Sequence, residues 1–407
     1  MKAGWETKAL GEVCDFQRGL TYAKSDEVDV SDNIVLRATN IDLATNLLNL
    51  DELKYINENV TVASNKIVKK HSLMICTASG SKSHLGKVAY IDDDYGYAFG
   101  GFMGMLTPKP ELNPKYFFHL MTSSAYKDFI GDLSDGANIN NLRFDDLSRF
   151  PIPLPPLPEQ HRIVAILDKA FDGIAKAKAA AEANLQNARA VFESHLQEVF
   201  TRRGDGWVET TIGAEIDLLA GFAFKSTEYT EAEDGVRLLR GDNIVQGSLR
   251  WDDVKKWPLV EAGEYTRYEL KAGDVVLAMD RPWIQAGLKR AQISTIDLPC
   301  LLVQRTARLR AGASLDNKFL LCLISSQAFT HHILGVQTGS GVPHISSQQI
   351  KDFQFPKPPI KEQIRIAERL EVLGEQTQHL ESLYQRKIAA LDELKRSLLH
   401  QAFSGAL

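Results

Sequence analysis

The chain has 407 residues, 44% hydrophobic and 24% charged, a balance ordinary for a folded protein and too apolar for a disordered one. At roughly 150 residues per domain, this length predicts two or three domains. The net charge of −5 gives no overall basic surplus, which argues mildly against nucleic-acid binding, although a mixed-sign surface can still carry local basic patches. No run of about 18 apolar residues is present, so no membrane span is expected. The segment from Met1 to Val13 lacks an apolar signal core, and a cytoplasmic location is expected. Cys14, Cys76, Cys300 and Cys322 are scattered without metal spacing and read as reduced thiols.

From the start to about residue 150 the chain mixes Gly, Asp and short apolar runs. Leu73-Met74-Ile75-Cys76 predicts a strand, and Tyr116 to Phe129 predicts a helix. A proline cluster follows at Pro151 to Pro158. Beyond it, Ile163, Leu167, Ala170, Ile174, Ala177 and Ala181 recur at 4-3-4-3-4 spacing, the heptad seam of a coiled coil. The seam shifts phase after Ala181 and continues through Leu185, Ala188, Phe192, Leu196 and Val199, a stutter that unwinds the supercoil locally. The plan then repeats. Val275-Val276-Leu277-Ala278 predicts a strand, Phe319 to Ile333 a helix, and Pro356 to Pro359 a second proline cluster. A second long helix carries Ile366, Leu370, Leu373, Thr377, Leu380, Tyr384, Ile388, Leu391 and Leu398 on its seam.

This repetition is a duplication. Trp5 matches Trp207, Gly19 matches Gly221, and Asn40-Ile41 matches Asn243-Ile244. Lys115-Tyr116 matches Lys318-Phe319, Glu159-Gln160 matches Glu362-Gln363, and Phe200 matches Phe403, all separated by 202 or 203 residues. The first helix is alanine-rich on its seam and the second carries larger groups. Small against large predicts one antiparallel intramolecular pair, with a globular domain near each end. The boundaries expected are 1–157 and 204–360 for the globular domains, and 158–203 and 361–407 for the helices. The fold class is α+β: two pseudo-symmetric globular domains separated by two long helices packed as an antiparallel coiled coil.

Catalytic motifs are not found. Gly80 to Val88 resembles a phosphate loop, but five residues separate Gly80 from Gly86, and Val88 stands where magnesium binding needs Ser or Thr. Asn113-Pro114-Lys115-Tyr116 is one residue away from an amino-methyltransferase motif. With its counterpart Asp316-Asn317-Lys318-Phe319, it reads as a helix N-cap. Phe99 to Gly104 reads as a strand with a bulge. His331-His332 lacks further ligands at zinc spacing. The expectation is a chain without its own active site and without a bound metal.

The segments PLPPLPEQHRIVAILD (Pro153 to Asp168) and PKPPIKEQIRIAERL (Pro356 to Leu370), with Gly4-Trp5 and Gly206-Trp207 near the start of each half, resemble the specificity subunits of type I restriction–modification systems. The resemblance covers the whole chain. It implies two target-recognition domains, each reading one half of a split DNA site, and paired helices that fix the gap. It also implies that the helices dock two adenine methyltransferase subunits, which two endonuclease/translocase subunits can join. S-adenosylmethionine, and ATP with Mg, would then sit on those partners and no cofactor on this chain.

The repeat-equivalent loops are the DNA-binding candidates: Ser81, Lys82, Ser83, Lys87, Asn138, Asn140 and Arg143 in one half. In the other they are Arg281, Lys289, Arg290, Gln337, Thr338, His344 and Ser346. Because these loops differ, an asymmetric target is expected. Glu159, Gln160, Arg162, Glu362, Gln363 and Arg365 are the partner-docking candidates. The alternative is a non-catalytic coiled-coil scaffold that binds proteins only.

Overall fold

The computed structural model describes residues 4–79, 84–135, 141–201, 203–285, 287–339 and 341–407. The chain packs into two compact units. One comprises Met1–Glu182 with Arg386–Leu407, the other Ala183–Gln385.

The first unit opens with β1 (Glu6–Ala9), the single turn α1 (Leu10–Val13) and β2 (Cys14–Arg18). Next come β3 (Glu27–Val28), β4 (Asn33–Leu36), β5 (Lys54–Ile56) and β6 (Leu73–Cys76). They are followed by β7 (Val88–Tyr90), β8 (Ala98–Phe99) and β9 (Met103–Pro108). Helices α2 (Pro114–Leu120), α3 (Ser124–Asp135) and α4 (Phe144–Leu147) precede β10 (Pro151–Leu154) and the long helix α5 (Leu157–Thr201). An antiparallel sheet runs β2-β9-β6-β7, a second runs β3-β5-β4-β8 with β4 and β8 parallel, and β1 pairs with β10.

The second unit repeats this wiring with β11 (Val208–Thr211), α6 (Ile212–Glu215), β12 (Ile216–Ala220), β13 (Val236–Leu239) and β14 (Lys255–Trp257). It continues through α7 (Leu259–Ala262), β15 (Val275–Ala278), β16 (Trp283–Ile284), β17 (Gly287–Leu288), β18 (Arg290–Gln292), β19 (Cys300–Leu302) and β20 (Thr306–Ala311). Helices α8 (Asn317–Ser325), α9 (Gln327–Val336) and α10 (Ser347–Lys351), strand β21 (Gln354–Lys357) and the long helix α11 (Ile360–Ser404) complete it. Its main sheet runs β12-β20-β15-β18, strand for strand the order of the first, and β13 lies parallel to β19 as β4 does to β8.

Both predicted strands are present, and their composition explains their place. Leu73 and Ile75 enter one core while Met74 and Cys76 enter another, as the two-residue period of a strand requires. Val275 and Leu277 divide from Val276 and Ala278 in the same way. A strand buried on both faces needs a continuous apolar run.

Each of the two mid-domain helices predicted from sequence is instead two helices. Ser123 and Ser326 break them: each hydroxyl donates to the carbonyl three residues back, Leu120 or Leu323, and accepts the amide of Tyr126 or Phe329. This local bonding is why serine favours helix starts over interiors. The helices α8 and α9 meet at 62°. No single helix among the described residues is long and apolar enough to cross a membrane. The N-caps are present, with Asn113 accepting the amides of Lys115 and Tyr116, and Asp316 that of Phe319.

The long helices pair antiparallel. In the first unit Lys178 meets Asp392 at 2.8 Å, Lys395 lies over the Phe171 ring at 5.2 Å, and Ile163 and Leu167 share a core with Leu399 and Ala402. In the second, Arg189 meets Glu381 at 3.0 Å, and Leu196 and Phe200 share a core with Ala367 and Leu370. Leu380 was expected on the seam but is 39% exposed, and Glu381 turns inward instead. The phase shift after Thr377 accounts for this, because a four-residue step replaces the expected three. The size pattern also inverts locally, since Gly374 of α11 faces the Phe192 ring of α5.

The matched phenylalanines show how the duplication closes. Phe403, at the end of α11, packs on Tyr116 of the first unit with ring centroids 5.2 Å apart. Phe200, at the end of α5, packs on Phe319 of the second at 5.5 Å.

Candidate DNA interface

In each unit three loops converge on the same end of the four-stranded sheet, where the central strand β6 or β15 ends and β9 or β20 begins. In the first unit, the amides of Thr77 and Ala78 donate to the Phe102 carbonyl, and the Leu142 amide donates to Thr77. The loops after β6, before β9 and before α4 are thereby tied together. In the second, the Met279 amide donates to Arg305, the Arg281 amide to Pro343, and the Ile345 amide to Met279. In the second unit these bonds bring Arg281 beside the loop that carries His344.

Ser81, Lys82, Ser83, Asn138 and Asn140 lie outside the described residues. Lys87 is half-buried and Arg143, the residue before α4, is exposed. Arg18 is exposed beside them, its guanidinium 5.5 Å from the Phe144 ring. Phe102 is 73% exposed at the tip of the turn between β8 and β9. The predicted bulged strand at Phe99 to Gly104 is in fact this turn, which carries the chain from one sheet to the other. A groove of about 520 Å³ runs along it, lined by Tyr22, Lys24, Arg37, Thr39 and Phe102 among others. Arg37 Nε is buried there without a hydrogen-bond partner among the described residues.

In the second unit Arg281, Thr338 and Arg305 are exposed, and His344 Nε2 lies 3.1 Å from Thr338 Oγ1. Burial holds the Lys289 ammonium below its ordinary pKa, and the like charges of Arg250 and Arg281 add to this against Asp242. Such a cluster of cations around one carboxylate favours an incoming anion. Arg281 and Arg305 are also held at φ of +44° and +64°, conformations costly for a side chain with a Cβ and concentrated at functional sites. Trp283, two residues after Arg281, is 41% exposed on the hairpin of β16 and β17.

Three sequence candidates are turned to other work. Arg290, next to Lys289 on the chain, is half-buried and its charge faces Cys322 and Glu193 on helices α8 and α5. Ser346 caps α10, its hydroxyl accepting the Gln349 amide. Gln337 is half-buried at the end of α9, its amide bonded to Ile333.

The Glu-Gln motifs divide between clamp and surface. Gln160 is 0% exposed; its oxygen accepts the Asn113 amide at 2.7 Å and its nitrogen donates to Glu111 and Pro155. Gln363 repeats this with Asp316, Ser314 and Pro358. Both therefore lock the start of a long helix to the loop before α2 or α8, and neither offers a docking surface. Glu362 accepts the Trp207 indole at 3.0 Å, while Gly206 turns the chain there at φ +79°, which explains the Gly-Trp pair. Glu159 pairs with Arg162, which also donates to the Leu407 carbonyl. Arg365 is exposed and lines a groove of about 340 Å³ with His195, Glu198 and Arg369. Among the described residues no three His, Cys, Asp or Glu side chains gather as a metal site.

A family model described as "Type I restriction modification DNA specificity domain" matches residues 2–184 and again 220–389. The chain belongs to the type I restriction–modification specificity-subunit family. The specificity subunit of the EcoKI enzyme of Escherichia coli K12 is 28% identical over 422 residues, covering 99% of this chain and 89% of that protein. That of EcoAI, also from Escherichia coli, is 39% identical over 170 residues, 42% of this chain but only 28% of that protein's length.

Among solved structures, a chain described under "Structural basis underlying complex assembly and conformational transition of the type I R-M system" shares the fold. Its TM-score is 0.81 and its identity 19%, over 100% of this chain and 99% of that one. The HsdS subunit from Thermoanaerobacter tengcongensis matches with a TM-score of 0.62 and 20% identity, over 100% and 98%. Specificity subunit, repeated domains and paired long helices thus coincide in one chain.

Proposed function

We propose that this specificity subunit reads a bipartite, asymmetric DNA site, one half-site with each globular domain, and docks two adenine methyltransferase subunits. Two endonuclease/translocase subunits join that complex when present. Chemistry stays off this chain: S-adenosylmethionine is held by the methyltransferases, and ATP with Mg by the endonuclease. The cytoplasm, where the DNA lies, is its compartment. The observation that carries the reading is the convergence of equivalent loops at equivalent sheet ends, with Arg18, Lys87 and Arg143 in one unit and Arg281 and Arg305 in the other.

These few cations, on a chain of net charge −5, neutralise few phosphates. Affinity for DNA rises steeply with the number neutralised, so partner subunits are expected to supply part of it. Exposed apolar residues on the long helices support docking: Ile166 and Leu394 in the first unit, Ile364 and Val372 in the second. The test is to assemble the chain with its methyltransferase, select from a pool of random DNA fragments, and sequence what is retained. A split motif enriched only when this chain is present supports the reading. An assembled complex that enriches no motif overturns it in favour of a protein-only scaffold.

A further inference from the structure

The turn that joins the two sheets is held by equivalent backbone hydrogen bonds in both units, while its residues differ: Gly100, Gly101 and Phe102 in one stand where Val303, Gln304 and Arg305 stand in the other, and of the two tip residues only Arg305 has a positive φ, +64°. In the first unit, Gly19 donates to the Met103 carbonyl, Leu20 to Phe99, Gly100 to Leu36, and Thr77 to Phe102. In the second, Gly221 donates to Thr306, Phe222 to Leu302, Val303 to Leu239, and Met279 to Arg305. The closeness of this packing is fixed by glycine. A Cβ on Gly19 would lie 2.0 Å from the Gly100 oxygen, and one on Gly221 2.1 Å from that of Val303. Phe102 and Arg305 therefore hold equivalent positions, both exposed, each with its carbonyl pinned by the loop after the central strand.

We propose that this tip residue is a specificity determinant that makes the two half-sites differ: Phe102 contacts a base step through its ring, and Arg305 reads a guanine. The inference rests on the DNA-reading function proposed above. Phe102 stands between two clefts, the 520 Å³ groove containing Arg37 and a smaller one of about 140 Å³ containing Arg18. An exposed ring between two clefts, each with an arginine in its lining, suits an apolar wedge. Flexible pyrimidine–purine steps open most readily to such a wedge.

Arg305 has the fork geometry that pairs with guanine O6 and N7. Its contact to Asp280 is 3.5 Å long, with the Arg305 side chain 64% exposed. An exposed pair of this kind contributes little and exchanges easily for a base edge.

The test compares genome-wide methyladenine maps from cells expressing the methyltransferase with the wild-type chain or with Phe102→Ala, Arg305→Lys or Arg305→Gln. The expected result is a split motif in which Arg305→Lys and Arg305→Gln each relax a guanine in one half-site, by tenfold or more in preference. Phe102→Ala should relax one step of the other half-site and leave the first untouched. Lysine keeps the charge but not the fork, so a phosphate contact would survive Arg305→Lys with its motif unchanged, and that outcome overturns the inference. So does relaxation of the same half-site by both Phe102 and Arg305 variants. Gel filtration of each complex separates a folding failure from a change of motif. If the wild-type chain itself directs no motif, the underlying function fails and this inference with it; a wild-type motif that the variants leave intact defeats the inference alone.

Discussion

Replacing Gln160 with methionine keeps the side chain's length and removes all of its hydrogen bonds. The residue is 0% exposed, and its amide serves one backbone donor and two backbone acceptors: Asn113 N–H, Glu111 C=O and Pro155 C=O. Leaving a buried polar group unpaired costs at least about 1 kcal/mol, so three such groups predict a loss of about 3 kcal/mol. With a urea dependence of roughly 2–3 kcal/mol per molar, the first unit should unfold at a urea concentration about 1 M lower. Two units need not unfold as one, so the melt is best read by hydrogen exchange on peptides spanning residues 103–121, with peptides from the second unit as reference. Gln363→Met should produce the mirror result. Stability unchanged within about 0.5 kcal/mol, with methylation by the complex abolished, would refute the clamp and return Gln160 to the docking surface.

Gly19→Ala and Gly221→Ala place a Cβ 2.0 and 2.1 Å from a backbone oxygen; each should lower the thermal midpoint of its unit by several degrees, and an unchanged midpoint would mean the turns have room. Asp168 accepts from His119 and Lys115, and its carboxyl, favoured in its charged form by the His119 bond above all, titrates at about 2 despite partial burial. Its contribution to stability should therefore be complete above the unfolded value of about 4 and vanish as pH falls toward 2. Asp168→Asn should flatten that part of the acid-denaturation curve. Gly374→Ala should be neutral or stabilising by up to about 1 kcal/mol, because helix propensity improves and only the edge of the Phe192 ring at 3.3 Å must yield. Gly374→Leu should destabilise by about 1–3 kcal/mol through overpacking. Equal effects of the two substitutions in denaturant melts would contradict this packing.

The long helices were legible because their evidence is local: a heptad spacing, prolines before the start, and a stutter after Ala181 that the burial of Ala181 and Ala188 follows. The duplication was legible because matched residues keep one separation. Less visible was anything set by partners distant in sequence. Gln160 sits in a motif that reads as a surface signature, and only the loop at Glu111 to Asn113 reveals it as a clamp. Leu380 looks like a seam residue until the phase is fixed by Arg189 across the pair. Ser123 and Ser326 carried a usable signal, since serines at matched positions inside two apolar helices are a reason to expect breaks. Phe102 was missed because Phe99 to Gly104 resembled a bulged strand, and Arg305 because no motif marked its turn. Aligning the two halves there sets an aromatic tip against a cationic one, and that contrast was the signal available.

The most direct test of the central idea, that the two halves are equivalent readers of separate half-sites, is to replace Ile216–Lys357 with a second copy of Cys14–Leu154. Both segments begin at the first strand of the main sheet and end at the strand before a long helix, and Tyr116 would take the place of Phe319 against Phe200. A methyladenine map of cells expressing this chain with the methyltransferase should show a symmetric motif, two inverted copies of the half-site read by the first half. A folded, assembled complex that still methylates the original asymmetric motif would contradict the assignment of one half-site to each domain.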